Sequence, residues 1–387
     1  MKTIGILTYH WVDNFGANLQ TLSTINYIKS TGNIPIVIDY CPSDAQDWYR
    51  KRVETKEIEA FKSFGNDYYS KTKRCQNVSD VQKAIVENGI EAVIIGSDSL
   101  FNLIKPFFLW KRLRMIRPTS DHVYPNPFFG GFNCKYAGLS ISSQNCDYMK
   151  FVDMKEAIGE SFKNFQLMTV RDDWTQEMVS YFTDGSIVPK VTPDPVFSFN
   201  QYSKDLVIDK EQLLKKFGIS EKYMLFNFGT FKKRLPEGWI EKFEDLCRKD
   251  NIELVEMPHT LLKNNCKKIT WPLNPLEWYY LIKYSNGYVG ELMHPIVVSL
   301  HNCVPFFSFD HYGIKNGSLS SSKIYHIVNE AGLIENYYNI NLNHECPSPT
   351  FIMDKLKYFE KDICASFSEN QLNKCIENYN QVLCSIV

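Results

Sequence analysis

A chain of 387 residues with 44% hydrophobic and 14% aromatic residues is built to fold, and it is too long for one ordinary core, so two domains are expected. Its formal charge of −1, from 43 Lys and Arg against 44 Asp and Glu, excludes an electrostatic case for nucleic acid or an anionic membrane. The opening MKTIGILTYH lacks the regions of a signal peptide, no run reaches about 18 apolar residues, and eleven cysteines are scattered without a CxxC pair; a cytoplasmic protein with reduced thiols and no metal site is expected. The densest cationic segment, KRLRMIRP at 111–118, reads as a loop or a substrate rim.

TIGILTY opens the chain as a strand and runs through HWVDNFGANLQ into an amphipathic helix ending near Ser30; PIVIDY at 35–40 completes a βαβ unit. The polar and aromatic stretch 41–78 carries loosely placed helices. A helix near 79–88 leads into EAVIIGSD at 91–98, an unbroken apolar run of the kind a parallel strand buried on both faces presents. Residues 99–133 hold Pro106, Pro118, Pro125, Pro127 and the pair Gly130–Gly131, and read as an irregular insertion. KYAGLSIS at 135–142, a helix over 148–163, the short strand MTVRDD at 168–173, a helix to Phe182 and VTPDPVFSF follow. Beyond a crossing at 200–220 come YMLFNFG, a helix over 236–249, IELVEM, a helix through PLEWYYLIKYS, and the strand GYVG. A helix with Pro295 in its first turn, placing Ile296, Val297 and Leu300 toward the sheet, leads to VPFFSFD. A last helix covers 349–384. Two successive alternations of this kind predict an α/β fold with two Rossmann-like domains facing across a cleft: residues 1–205, residues 206–345, and a C-terminal helical segment 346–387 packing back on the first.

His294 falls where GYVG turns into the next helix, beside backbone N–H groups and the positive end of a helix dipole. That is a place for an acid acting on an anionic substrate, or for a simple cap. In HWVDNFGANLQ, Gly16 permits close backbone approach, while Asn14, Asn18 and Gln20 offer neutral hydrogen bonds to a sugar or an anion, or else shape the turn. GSDSLFN ends its strand in Ser97 and Asp98, a carboxylate that can accept from a sugar hydroxyl, act as a base or cap the next helix. In VRDD, Arg171 presents a planar fork to a carboxylate or phosphate, and Asp172 and Asp173 can instead hold it in a structural ion pair. PDP at 193–195 fixes a turn and presents Asp194. Lys315 and Lys323 follow the last strand of the second domain, on the edge that carries His294, where a lysine can neutralise phosphate. His301 lies about 10 Å further along the same helix face and is read as structural. No HExxH, Walker loop or nucleophile elbow occurs.

Together these motifs resemble those of the polysaccharide pyruvyl transferase family. NFGANLQ is similar to the family's N-[YF]-G-[AS]-x-[LI]-Q, GSDSLFN to its GSDQxWN, KYAGLSIS to its strand ending in YAxS, VRDD to its [SV]-V-R-[ED] and PDPVF to its DPxxL; a late G-x-x-x-H precedes VPFFSFD and Lys315. The resemblance implies a fold similar to that of the B-type glycosyltransferases, with the first domain on the acceptor side and the second on the donor side. It implies a transferase that moves the enolpyruvyl carbons of phosphoenolpyruvate to two hydroxyls of a sugar in a surface polysaccharide or exopolysaccharide precursor, forming a pyruvate ketal and releasing phosphate. No metal or other cofactor is implied, phosphoenolpyruvate being a co-substrate. The acceptor would be a sugar, a nucleotide sugar or a lipid-linked oligosaccharide, the last demanding peripheral membrane association through a partner. His294 would protonate C3 so that C2 gains cationic character; a nearby phosphate would favour its imidazolium and the helix dipole would oppose it. Asp98 or Asp172 would take the proton from the attacking hydroxyl. Arg171, Lys315 and Glu291 would contact the donor, and Asn14, Gly16, Asn18, Gln20 and Ser97 the acceptor.

One position departs from the family. Many members carry arginine two residues before the histidine, where this chain has Leu292. Losing one charge-assisted hydrogen bond costs about 1.5–3 kcal/mol, so either Arg171, Lys315 or a residue of the 111–117 cluster compensates, or donor binding has changed. Two rival readings stand beside the transferase: a glycosyltransferase of the same fold using a nucleotide sugar, and a non-catalytic carbohydrate-binding relative.

Overall fold

A computed structural model describes the chain apart from residues 52, 110–113, 145, 230–234, 261–263, 312–318, 320–321 and 344. Residues 1–203 with 373–387 form one compact unit, and residues 204–372 form the other.

The first unit runs β1 (Thr3–Leu7), α1 (Phe15–Ser30), β2 (Ile34–Val37), α2 (Ser43–Arg50), α3 (Thr55–Tyr68), α4 (Val78–Glu87) and β3 (Ala92–Asp98). A small hairpin, β4 (Phe107–Leu109) and β5 (Arg114–Ile116), precedes β6 (Lys135–Ile141), α5 (Lys155–Lys163), β7 (Met168–Val170), α6 (Asp173–Phe182), β8 (Lys190–Val191) and α7 (Phe199–Tyr202). The main strands form one sheet in the order β2-β1-β3-β6-β7-β8, every pair parallel. All seven residues of β3 are buried, as its unbroken apolar run requires of a strand covered on both faces. The chain goes from β1 outward to β2 and then to the other side as β3, so the order reverses between β1 and β3.

The second unit runs α8 (Lys210–Phe217), β9 (Tyr223–Asn227), α9 (Trp239–Lys249), β10 (Glu253–Glu256), β11 (Lys267–Lys268), α10 (Pro275–Lys283) and β12 (Tyr288–Gly290). It continues with α11 (Met293–His301), β13 (Phe306–Asp310), α12 (Lys323–Glu330), β14 (Tyr337–Asn339) and α13 (Pro349–Lys357). Its strands order as β11-β10-β9-β12-β13-β14, again all parallel. Here the reversal lies between β9 and β12. Phe226, Phe228, Trp239, Phe243, Phe307 and Phe309 pack into a core between sheet and helices. α10 begins on a reciprocal cap, Asn274 accepting from the Glu277 N–H at 2.9 Å and Glu277 from the Asn274 N–H at 3.0 Å, with Pro275 at the first helical position.

Several local expectations change. The helix expected over 148–163 starts as a 3₁₀ segment, Tyr148–Met154, and becomes α-helical only at Lys155. The irregular insertion at 99–133 contains the antiparallel hairpin β4–β5. The single helix expected over 349–384 is α13 followed by α14 (Lys361–Ile386), the break at 358–360 having no Pro or Gly to announce it. Up to residue 372 α14 belongs to the second unit, where Ser368 donates to the His301 carbonyl at 3.1 Å; from residue 373 it belongs to the first, where Asn378 donates to Ser140 Oγ at 3.0 Å. α1, expected to be amphipathic, is instead buried almost all round. The reason is a second cover: Tyr27 stacks on Tyr379 with centroids 4.3 Å apart, and Thr24 Oγ1 lies 3.1 Å from the Tyr379 hydroxyl.

His301, in the last turn of α11, is buried. Burial, aided by the nearby Lys283, pushes its pKa down to about 3. The helix C-terminus would favour the cation by roughly 0.3–1 kcal/mol, too little to offset desolvation. The unfolded chain would protonate this ring near the ordinary histidine value, about 6.5, and the folded chain only near 3. His301 therefore takes stability away progressively as pH falls through that window. Replacing it by Phe is expected to flatten the acid side of a urea-denaturation stability profile between those values; an unchanged profile would refute the assignment.

Candidate functional site

At the carboxyl edge of the first sheet, adjacent strand ends deliver charged side chains onto one another. Gly96 makes this edge possible: its φ is +134°, and a Cβ there would sit 2.1 Å from the Leu139 carbonyl oxygen. Ser97 and Asp98 follow, Ser97 receiving the Thr8 hydroxyl on its carbonyl at 2.8 Å. Ser97 Oγ is itself buried with no partner among the described residues. Asp98, 9% exposed, accepts from the Ser99 N–H at 2.7 Å and lies 3.9 Å from Arg171 Nη2.

Arg171 is buried, and its Nη1 donates to Asp194 Oδ2 at 2.7 Å. Gln20 Nε2 donates to the same oxygen at 2.6 Å. Burial opposes the guanidinium charge, yet Asp194, Asp98 and Asp172 outweigh it and hold the group's pKa above its ordinary value. The partner is thus the Asp of PDP, not the neighbouring Asp173. Arg171, expected to contact the donor, is a buried ion pair here. Asp172 caps α6: Oδ1 accepts from the Thr175 N–H at 2.8 Å and its hydroxyl at 2.6 Å, and Oδ2 from Ser142 at 2.7 Å. With both oxygens committed to donors, Asp172 has the geometry of a cap, and Asp98 is the more accessible of the two candidate bases.

The NFGANLQ turn is organised from within. Asn14, exposed, caps α1 by accepting from the Ala17 N–H at 3.1 Å. Asn18 is fully buried, donating to the carbonyls of Val12 and Asn14 at 3.0 and 2.9 Å and accepting from the Tyr69 hydroxyl at 2.9 Å. Gly16 is buried in the first turn. Of the expected acceptor contacts in this turn, the geometry leaves Asn14 at the surface and uses Asn18 and Gln20 to hold the structure together.

In the second unit, Gly290 ends β12 at the β9–β12 reversal, so close that a Cβ would meet the Asn227 carbonyl at 2.7 Å. Glu291 then reaches across, its Oε1 accepting from the Gly229 N–H at 2.6 Å, and so ties the two strand ends together. Leu292, 40% exposed, occupies the N-cap position of α11, and His294 is the second residue of that helix, partly exposed. The imidazole therefore stands in a first helical turn at the topological switch of a parallel sheet, where ligands of such sheets bind. Lys323 opens α12 behind its cap Ser322, whose Oγ hydrogen-bonds Asp310. Lys315 and residues 111–113 lie outside the described residues.

Asp194 is the residue that sequence reasoning undervalued. Its signal was present, a carboxylate in a proline-fixed turn after a strand end at the same edge as VRDD. Replacing Asp194 by Ala would leave a buried guanidinium without its main partner and is expected to lower the unfolding free energy by about 3–5 kcal/mol. The double variant Arg171→Met with Asp194→Ala is expected to recover part of that loss. Urea denaturation midpoints measure both; an additive double variant would show the pair to be uncoupled.

Comparison with known proteins adds to this geometry. No curated protein matches the chain. Among solved structures, the UDP-GlcNAc 2-epimerase from Neisseria meningitidis bound to UDP-GlcNAc is similar with a TM-score of 0.58 at 10% identity, over 99% of this chain and 100% of that one. A proposed UDP-N-acetylglucosamine 2-epimerase from Listeria monocytogenes is similar with a TM-score of 0.56 at 10% identity, over 100% and 95% of the two chains. Likeness at this identity shows the fold, two Rossmann-like α/β units. The family described as Polysaccharide pyruvyl transferase matches residues 153–312, a stretch that includes Arg171, Asp194, Glu291 and His294. Over those residues the chain carries the pattern of the polysaccharide pyruvyl transferase family, which bears out the resemblance read from its motifs.

Proposed function

We propose that the protein is a pyruvyl transferase that moves the enolpyruvyl carbons of phosphoenolpyruvate onto a sugar of a surface-polysaccharide precursor. The observation that carries the reading is the position of His294, partly exposed in the first turn of α11 at the β9–β12 switch, inside the stretch matched by the family. A first helical turn offers N–H donors and a positive dipole end to the donor's phosphate or carboxylate. Leu292 cannot supply the arginine contact of many members, so in this reading backbone donors at the start of α11, with Lys315 as the candidate cation from the sequence, carry the donor's charge.

The chemistry needs one proton given and two taken. His294 donates a proton to C3 of phosphoenolpyruvate, and C2 becomes electrophilic. A sugar hydroxyl then adds to C2 while its proton passes to a base, for which Asp98 is the candidate. The C2–O bond to phosphate then breaks, its electron pair leaving with the phosphate, and the second hydroxyl adds to C2 to close the cyclic ketal, its proton passing to the departing phosphate. No electrons change hands, so no redox partner is required. No described helix is long and apolar enough to cross a membrane; cytoplasmic placement, and proximity to a bilayer for a lipid-linked acceptor, belong to this proposal.

The test is phosphate release from phosphoenolpyruvate in the presence of sugar, sugar-nucleotide and lipid-linked acceptors, with the ketal product identified by mass spectrometry. His294→Ala is expected to lower turnover by about 10²–10⁴-fold, the usual contribution of a positioned acid, with an unchanged circular dichroism spectrum. Nucleoside diphosphate release from a sugar nucleotide, or full activity in the His294 variant, would overturn the reading.

A further inference from the structure

The first unit holds a cavity that the reading above does not use. It measures about 210 Å³ and lies beside the carboxyl ends of β1 and β2, enclosed by the β1–α1 loop, α2 and α3. One wall is aromatic: Trp11 and Tyr49, both half-buried, meet edge-on with centroids 5.4 Å apart. Trp11 is fixed in place by its indole N–H, which donates to the Tyr40 carbonyl at 2.9 Å.

The charges around this wall are unbalanced. Four Lys or Arg side chains line the cavity, Arg50, Lys62, Lys71 and Arg74, against two carboxylates, Asp13 and Asp39. Asp39 is already satisfied, lying 3.0 Å from His10 Nε2. Burial works against its charge, but His10, Lys71 and Arg74 together hold its pKa below the usual carboxylate range. Arg74 is held back by Cys41, its Nε donating to the carbonyl at 2.8 Å. Arg50, Lys62 and Lys71 stay exposed at the rim, the last with its Nζ 3.4 Å from Asn66 Oδ1.

An aromatic wall beside clustered cations in a concave site is the combination that grips a sugar ring and its phosphate. The apolar C–H face of the ring packs on the aromatics, and the anion takes charge-assisted hydrogen bonds. The volume is below the roughly 300–1,000 Å³ of clefts that enclose a whole drug-sized ligand. It suits one ring with its phosphate, the carrier remaining outside. We propose that this cavity binds the glycosyl-phosphate portion of the acceptor. The proposal rests on the transferase reading for the word acceptor, but the binding itself does not. A nucleotide and a polyprenyl lipid would present the same glycosyl phosphate.

Calorimetric titration of the full chain tests it, with glucose 1-phosphate, UDP-glucose, polyprenyl-diphosphate glucose in micelles, inorganic phosphate and methyl glucoside as probes. Phosphorylated sugars are expected to bind, more tightly than inorganic phosphate or methyl glucoside, and more weakly as salt rises. Tighter binding of UDP-glucose than of the polyprenyl probe assigns the carrier as a nucleotide, and the reverse as a lipid. The exposed double variant Arg50→Gln with Lys62→Gln is expected to weaken phosphorylated sugars by at least about tenfold. Equal binding by wild type and variant, inorganic phosphate binding as tightly as glucose 1-phosphate, or no binding of any phosphorylated sugar would overturn the proposal. Phosphoenolpyruvate turnover with an unchanged acceptor KM in the variant would also sink it while leaving the transferase reading intact. Sugar-phosphate binding lost in the variant, without phosphoenolpyruvate-dependent turnover in wild type, would do the reverse.

Discussion

Parallel pairing constrains everything else in this protein. Because every strand of both six-stranded sheets runs the same way, each sheet has a single edge where strand carboxyl ends gather and helix N-termini begin. Crossover helices must then cover both faces, which is why β3 can be buried at all seven residues and still be stable. The outward-and-back winding leaves one reversal per sheet, between β1 and β3 in the first and between β9 and β12 in the second. Those two gaps are where side chains of distant sequence meet without any loop having to fold back over them.

At the first reversal and its neighbouring strand ends, the cost of burying a guanidinium organises the edge. An isolated buried charge would cost several kcal/mol. Arg171 avoids this through Asp194 and the more distant Asp98, while Gln20 fixes the Asp194 oxygen that Arg171 uses. α1, β3, β7 and the turn after β8 are thereby held in one arrangement. At the second reversal the same task falls to an anion, Glu291, which ties the end of β12 to the loop after β9 and sets the approach to α11. His294 sits one turn beyond this tie, on a helix whose other end is anchored through Ser368 and the carbonyl of His301.

The proposed chemistry asks little more of the fold than this: a proton donor at a helix start, an anion-tolerant environment, and a carboxylate with some access to solvent. His294, partly exposed at the start of α11, and Asp98, nearly buried beside Arg171, are the candidates for the first and the last of these in their respective units. The residues that share their motifs, Arg171, Asp172, Asn18 and Gln20, have structural partners instead. Their recurrence beside the candidate positions is explained by support, since a strand end must be locked before it can aim a side chain.

Much of the architecture was legible because buried parallel strands are written in continuous apolar runs, AVIIG and YMLFN among them, whereas the caps at Asn14, Asp172 and Asn274 came only with the structure. His294 was legible for the same reason: a strand, a short turn and Pro295 fix where in the fold it must stand. Residues 41–78 were not, since the short apolar stripe of α3, which buries Ala60, Phe61 and Phe64, does not say which surface it packs against, and the cavity that α2 and α3 help form joins positions up to 64 residues apart, from His10 to Arg74. Nor could local pattern say that Arg171 would choose Asp194 over the adjacent Asp173, or that α1 would be covered on its second face by Tyr379. Sequence by itself determined the alternation of elements and where the candidate groups His294 and Asp98 fall along them, because periodicity and strand ends are local. Which charges are paired, and which remain at a surface, only the tertiary structure decided, because ion pairing depends on distances that sheet order and helix cover set together.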